Sequence, residues 1–134
     1  MIPSSIVLFV CEHGAAKSIL AAACFNKLAE EKGLHIRALA RGTHPDSDLS
    51  PETVNGLQAD GLTPPDLRPI KISTADLKGI DRIVTFCELP AEFRSNIKVE
   101  NWQGVPAVSE DYARARDNIL LRLHGLFDQI EREA

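Results

Sequence analysis

An unbroken apolar run, Ile6-Val7-Leu8-Phe9-Val10, leads straight into Cys11. Being continuous rather than alternating, it has the pattern of a strand buried on both faces. From Ser18 to Lys32 the pattern turns helical, with Leu20, Ala23, Cys24 and Leu28 at three- and four-residue spacings, and Gly33 stands where a helix ends. His35–Ala40 predicts a second, weaker strand, left through a loop of Arg41-Gly42-Thr43-His44-Pro45. Ser50-Pro51-Glu52 reads as a helix start: a capping serine, proline at the first helical position and an acid on the positive end of the dipole. That helix turns Val54, Leu57 and Gln58 inward and stops at Asp60-Gly61. Thr63-Pro64-Pro65 and Arg68-Pro69 mark an extended connector, since each proline restricts the residue before it.

Further along, Thr74–Gly79 predicts a helical turn or two. Arg82–Phe86 predicts a third strand, with Cys87 directly after it. Pro90–Arg94 reads as a short helix, Ile97–Trp102 as a more polar edge strand and Gly104–Val108 as a loop. Ser109 is placed to cap a long last helix, with Glu110 and Asp111 in its first turn and Ile119, Leu120, Leu123, Phe127 and Ile130 along one apolar stripe. Strands that alternate with helices imply an α/β fold in which a parallel sheet is covered on both faces. In such open sheets the ligand site lies beyond the carboxyl ends of the strands. Cys11 and Cys87 both fall at such ends.

Composition narrows the classes of function. A chain of 134 residues is expected to form one domain, residues 1–134, with a core that needs no staples. A net charge of −4 argues against a nucleic-acid surface or a polybasic membrane anchor. No basic residue precedes the first apolar run, which is too short for a membrane span, so neither signal peptide nor transmembrane segment is expected. The expected location is therefore the cytoplasm, where thiols stay reduced. The three cysteines, Cys11, Cys24 and Cys87, form no CxxC pair and the four histidines are scattered, so no structural zinc site and no cofactor are implied. Cys24 lies on the apolar stripe of the first helix and is assigned to the core. Arg41 and Lys71 are assigned to the surface.

The candidate chemistry is concentrated in Cys11-Glu12-His13-Gly14-Ala15-Ala16-Lys17-Ser18. Strand, loop of small residues and helix N-terminus follow one another, and a helix N-terminus attracts anions and favours a thiolate beside it. A cysteine followed five residues later by a cation and then a hydroxyl is the spacing of a phosphate-binding loop. The thiolate attacks phosphorus, successive backbone N–H groups hold the oxygens, and the cation grips them. Lys17 occupies the position of the usual arginine and supplies a point charge instead of a planar fork. Ser18 is placed to donate a hydrogen bond to the Cys11 sulfur.

The chain resembles the low-molecular-weight protein tyrosine phosphatases and their relatives, the thioredoxin-coupled arsenate reductases. Their CxGNxCRS loop lines up without a gap on Cys11–Ser18. An SAGT motif followed by proline is similar to Ala40-Arg41-Gly42-Thr43-His44-Pro45, and further echoes are Pro51–Gly61, Leu67-Arg68-Pro69 and Asp81-Arg82-Ile83-Val84-Thr85-Phe86. The resemblance implies a three-layer α/β/α domain with a four-stranded parallel sheet in the order 2-1-3-4. It implies hydrolysis of phosphomonoesters, of the protein phosphotyrosine type, through a phosphocysteine on Cys11. Lys17 and Ser18 would assist, and the backbone of Glu12, His13, Gly14, Ala15, Ala16, Lys17 and Ser18 would bind the oxyanion.

The departures from the family pattern are specific. His13, Gly14, Ala15 and Ala16 replace the family's loop residues, its asparagine among them. The Asp-Pro of a late loop, whose aspartate protonates the leaving group, is replaced by Trp102-Gln103-Gly104-Val105-Pro106-Ala107-Val108, with Asp111 as the nearest candidate acid. Weak phosphatase activity is therefore expected. The resemblance leaves two alternatives. One is arsenate reduction with Cys87 as redox partner of Cys11 and an external thiol as reductant, since the relay's third cysteine is missing. The other is a non-catalytic protein that binds phosphate-type oxyanions or phosphoproteins, or senses redox state.

Overall fold

The four predicted strands form and pair into a single parallel sheet in the order β2-β1-β3-β4. The structure is a computed structural model and describes residues 5–94 and 96–133. Strand β1 (Ser5–Cys11) is central, flanked by β2 (Ile36–Gly42) on one side and β3 (Arg82–Thr85) on the other, with β4 (Lys98–Asn101) at the far edge. The interior position of β1 explains its unbroken apolar run: Val7 through Cys11 are all buried. On β4 all four side chains are exposed, as an edge strand permits.

The two faces of β1 divide the core. Val7, Phe9 and Cys11 face a cluster built with helices α1 (Lys17–Glu31), α2 (Pro51–Ala59) and α3 (Tyr112–Glu133). Leu8 and Val10 face a second cluster with Ile72, Ile80, Ile83, Leu89 and Phe93. That second face is covered by the connector and the one-turn helices Thr74–Leu77 and Ala91–Phe93, so all three long helices share the first face. Phe9 anchors the helical side, with ring centroids 5.9 Å from Phe25, 6.4 Å from Phe86 and 5.9 Å from Trp102. Pairs of this kind are worth about 0.5–1.5 kcal/mol beyond the area they bury.

Helix α1 is enclosed more completely than a single stripe predicts. Every residue from Ser18 to Phe25 is buried, because β1, β2, α2 and α3 all pack against it, and its alanines let them approach. Cys24 is indeed in this core, and burial, reinforced by Asp60, raises its thiol pKa from 9.0 to about 12.

Several local expectations are corrected. Strand β2 runs on through Arg41 and Gly42, since Gly42 N–H donates to the Ile70 carbonyl and its own carbonyl accepts from Ile72 N–H. In α2 the buried side chains are Thr53 and Leu57, while Val54 and Gln58 face solvent: the helix turns its first-turn threonine inward. Helix α3 begins at Tyr112, and its cap is Asp111, whose Oδ1 accepts from Arg114 N–H at 3.0 Å; Ser109 lies outside it in a turn. Arg41 is not a surface residue. Its guanidinium is largely enclosed, donating to Asp76 Oδ2 at 3.2 Å and lying 3.8 Å from Asp66 Oδ2, and so ties β2 to the connector. Lys71 is exposed as expected.

Candidate active site

Cys11 is the last residue of the central strand, and α1 begins six residues later. The intervening loop turns at Gly14, whose φ of 62° is left-handed and costs glycine nothing. Where the family pattern has asparagine, which also tolerates this conformation, glycine makes the same turn. A second glycine makes room for it. A Cβ on Gly42 would sit 2.7 Å from Gly14 N and 2.9 Å from its Cα, so the two backbones meet where no side chain fits.

The loop is held by its carbonyls. Those of Cys11, Glu12, His13 and Ala15 accept N–H donors from Thr43, His44, Asp46 and Ser50 at 3.1, 2.7, 3.0 and 2.9 Å, and that of Ala16 accepts from Leu20 within the start of α1. With the oxygens engaged by the neighbouring segment, the N–H groups are left over. Among the described residues, no backbone N–H from Glu12 to Ser18 has an acceptor in the protein. A run of unpaired N–H groups at the head of a helix is an oxyanion cradle.

The thiol lies against it. Cys11 Sγ is 3.0 Å from Ser18 Oγ, and both residues are buried. Ser18 therefore reaches the sulfur as its position suggests. Lys17 is half-buried at the first position of α1 and, among the described residues, forms no ion pair. At the rim, His13 Nδ1 lies 3.3 Å from Asp46 Oδ1 and Nε2 lies 3.6 Å from Glu12 Oε2. All three side chains are more than half exposed, at 60%, 56% and 61% for His13, Asp46 and Glu12. Asp46 was not legible as a site residue, because only the bond from its N–H to His13 brings the two segments together.

Cys87 follows β3 beside this loop. Val10 pairs with Thr85, and Phe86 N–H donates to the Val10 carbonyl, so Cys87 lies one residue beyond the end of the ladder. It is half-buried and sits in a tight turn around the Thr85 hydroxyl. That hydroxyl donates to the Cys87 carbonyl at 2.8 Å, accepts from Cys87 N–H at 3.2 Å and lies 3.6 Å from its sulfur. Asp111 is engaged as the cap of α3. Val105 and Val108 of the late loop are buried. Among the described residues, no group of three or more metal-ligating side chains is present, and no helix is long and apolar enough to cross a membrane.

A central-strand cysteine over an unpaired N–H cradle, in a 2-1-3-4 parallel sheet, defines a cysteine-centred oxyanion site of phosphatase type. Residues 6–134 match the model of the low molecular weight phosphotyrosine protein phosphatase family, and the chain belongs to that family. It is 28% identical over 130 residues to a Halobacterium salinarum protein provisionally named an arsenate reductase, covering 90% of this chain and 89% of that one. Among solved structures, YfkJ from Bacillus subtilis superposes with a TM-score of 0.80 at 22% identity, covering 96% of each chain. An arsenate reductase in its phosphate-binding state superposes with a TM-score of 0.77 at 19% identity, over 94% of this chain and 98% of the other. At these identities the structural likenesses establish the shared fold.

Proposed function

We propose that the protein is a cysteine-dependent phosphatase of modest turnover. The observation that carries this reading is the Cys11–Ser18 contact of 3.0 Å at the foot of a loop whose carbonyls are engaged elsewhere. Cys11 attacks phosphorus and forms a phosphocysteine. The N–H groups of Glu12 to Ser18 hold the non-bridging oxygens, and Lys17 neutralises part of their charge. Ser18 donates to the sulfur when it leaves in the second step, in which water releases phosphate. Asp111 is the remaining candidate for a proton donor, although its carboxylate caps α3. A cytoplasmic setting, which keeps thiols reduced, suits this chemistry.

Two substitutions slow the reaction. Loss of one good donor to a developing oxyanion costs roughly 10²–10³ in rate, and loss of a positioned general acid roughly 10²–10⁴. The test is hydrolysis of p-nitrophenyl phosphate, whose leaving group needs little help from an acid. Activity that disappears in Cys11→Ser supports the reading, and activity unchanged in that variant sinks it.

A second reading is supported by the position of Cys87 next to the Cys11 strand end. Cys11 would attack arsenate with loss of water, and Cys87 would then attack the Cys11 sulfur. Arsenite would leave with the electron pair of the As–S bond as a Cys11–Cys87 disulfide forms, and an external thiol would restore both cysteines. Arsenate-dependent oxidation of added thiol that is lost in Cys87→Ser would favour it. Phosphate binding with neither turnover would leave a non-catalytic oxyanion or phosphoprotein binder.

A further inference from the structure

The surroundings of the Cys11 loop bear on what is attached to the oxyanion. The late loop, Trp102 to Val108, carries no carboxylic acid, and the Asp111 carboxylate closes the first turn of α3. A phenol or alcohol leaves as a basic oxyanion and needs a proton from a positioned acid. An amine, imidazole or guanidine nitrogen takes its proton from solvent before its bond to phosphorus breaks, and needs no acid from the protein.

The aromatic residues point the same way. The chain has five phenylalanines, one tryptophan and one tyrosine. Phe9, Phe25, Phe86, Phe93, Phe127 and Trp102 are all buried in the two cores. The Tyr112 ring packs on Gly56, and its hydroxyl donates to Asp60. None is left to hold a phenyl ring at the mouth of the cradle. The mouth is instead lined by Glu12 and Asp46, which share the single imidazole of His13. Two carboxylates against one imidazole leave excess negative charge in either protonation state. Such a rim repels further anionic groups and attracts a cation.

We propose that the substrate is a phosphoramidate, a phosphoryl group carried on the nitrogen of a cationic side chain. This rests on the phosphatase reading above and specifies its leaving group. The Cys11 thiolate attacks phosphorus, and the S–P bond forms as the P–N bond breaks. The nitrogen leaves with the bonding pair, keeping the proton it took from solvent. Water then attacks the phosphocysteine, phosphate departs, the thiolate is restored and a proton returns to solvent. Phosphoramidate and water become amine and phosphate.

The experiment compares kcat/KM for phosphoarginine, phosphohistidine, phosphotyrosine, phosphoserine and p-nitrophenyl phosphate, in the wild-type protein and in Cys11→Ser, Glu12→Gln and Asp46→Asn. At least one phosphoramidate is expected to exceed phosphotyrosine by about tenfold or more, with the ratio falling about threefold in each carboxylate variant. The better of the two phosphoramidates tells a guanidinium from an imidazole source. Phosphotyrosine turned over as fast or faster, or a ratio untouched by both carboxylate variants, overturns the inference while Cys11-dependent p-nitrophenyl phosphate hydrolysis keeps the phosphatase reading. No Cys11-dependent hydrolysis of any of the five compounds overturns both.

Discussion

Lys17 sits where the cradle needs a cation, and it is the residue most open to a gain of function. An ammonium neutralises charge at one point, whereas a guanidinium meets two oxygens with parallel N–H bonds. Lys17→Arg is therefore expected to raise kcat for p-nitrophenyl phosphate by roughly 10- to 100-fold, checked by steady-state kinetics with inhibition by inorganic phosphate measured alongside. An unchanged kcat would mean that the cation does not limit the reaction. Gly42 is the opposite case, a residue with no room to grow. Gly42→Ala brings a Cβ to 2.7 Å from Gly14 N, with backbone on both sides. The substitution should cost about 1–3 kcal/mol, read from urea denaturation, and abolish phosphate protection of Cys11 from alkylation. The spacing Cys11-to-Ser18 was legible in the sequence because it is local. The Gly14–Gly42 contact was not, since neither glycine announces which backbone it meets.

At the scale of elements, most boundaries follow from short-range signals. Ser50 caps α2 as its Ser-Pro-Glu sequence suggests, with its side chain accepting from Thr53 N–H, and Gly33 and Gly61 adopt positive φ just past α1 and α2. The start of α3 was misread because Ser109 and Asp111 are both good caps, and local propensity cannot rank them. Asp111 is the cap observed, and this separates its two candidate roles. Asp111→Ala should lower stability by about 1 kcal/mol, a few degrees in Tm, whereas Asp111→Asn keeps the cap and should leave Tm nearly unchanged. If Asp111→Asn also preserves the pH profile of kcat, Asp111 does not act as the acid. Strand β2 was read two residues short for a related reason. Arg41 and Gly42 have little strand propensity, and they are held in the sheet by the connector and by the Arg41–Asp76 ion pair.

For the molecule as a whole, buried titratable groups make a prediction about alkaline stability. Cys24 is pushed from 9.0 to about 12 by burial, with Asp60 adding to the effect. Tyr112 is also raised, by burial first and then by its hydrogen bond to Asp60. At neutral pH both states of the chain keep these protons, so the groups contribute no pH dependence there. Above pH 9 the unfolded chain releases the Cys24 proton while the folded chain retains it until about 12. The folded state is therefore expected to lose stability across that window, at about 1.4 kcal/mol per pH unit from this thiol. Denaturation between pH 8 and 11, as approximate bounds, should show the decline, and Cys24→Ala should flatten it. A companion measurement is thiol counting. Half-buried Cys87 should react with a maleimide in the native state, and Cys24 only after unfolding.

The sequence by itself determined the element order, the parallel sheet with β1 inside it and the cysteine at the head of the anion loop. Those features rest on periodicity, caps and spacings, each contained within a few residues or a turn of helix. Tertiary structure decided which groups complete the site. Only the crossover from β1 to β2 and the loop beyond it bring Thr43, His44, Asp46 and Ser50 onto the carbonyls of the Cys11 loop, turning its N–H groups free. The same approach sets Asp46 beside His13 and gives the mouth its acidic rim. It depends on two glycines 28 positions apart meeting backbone to backbone, a condition no local pattern encodes.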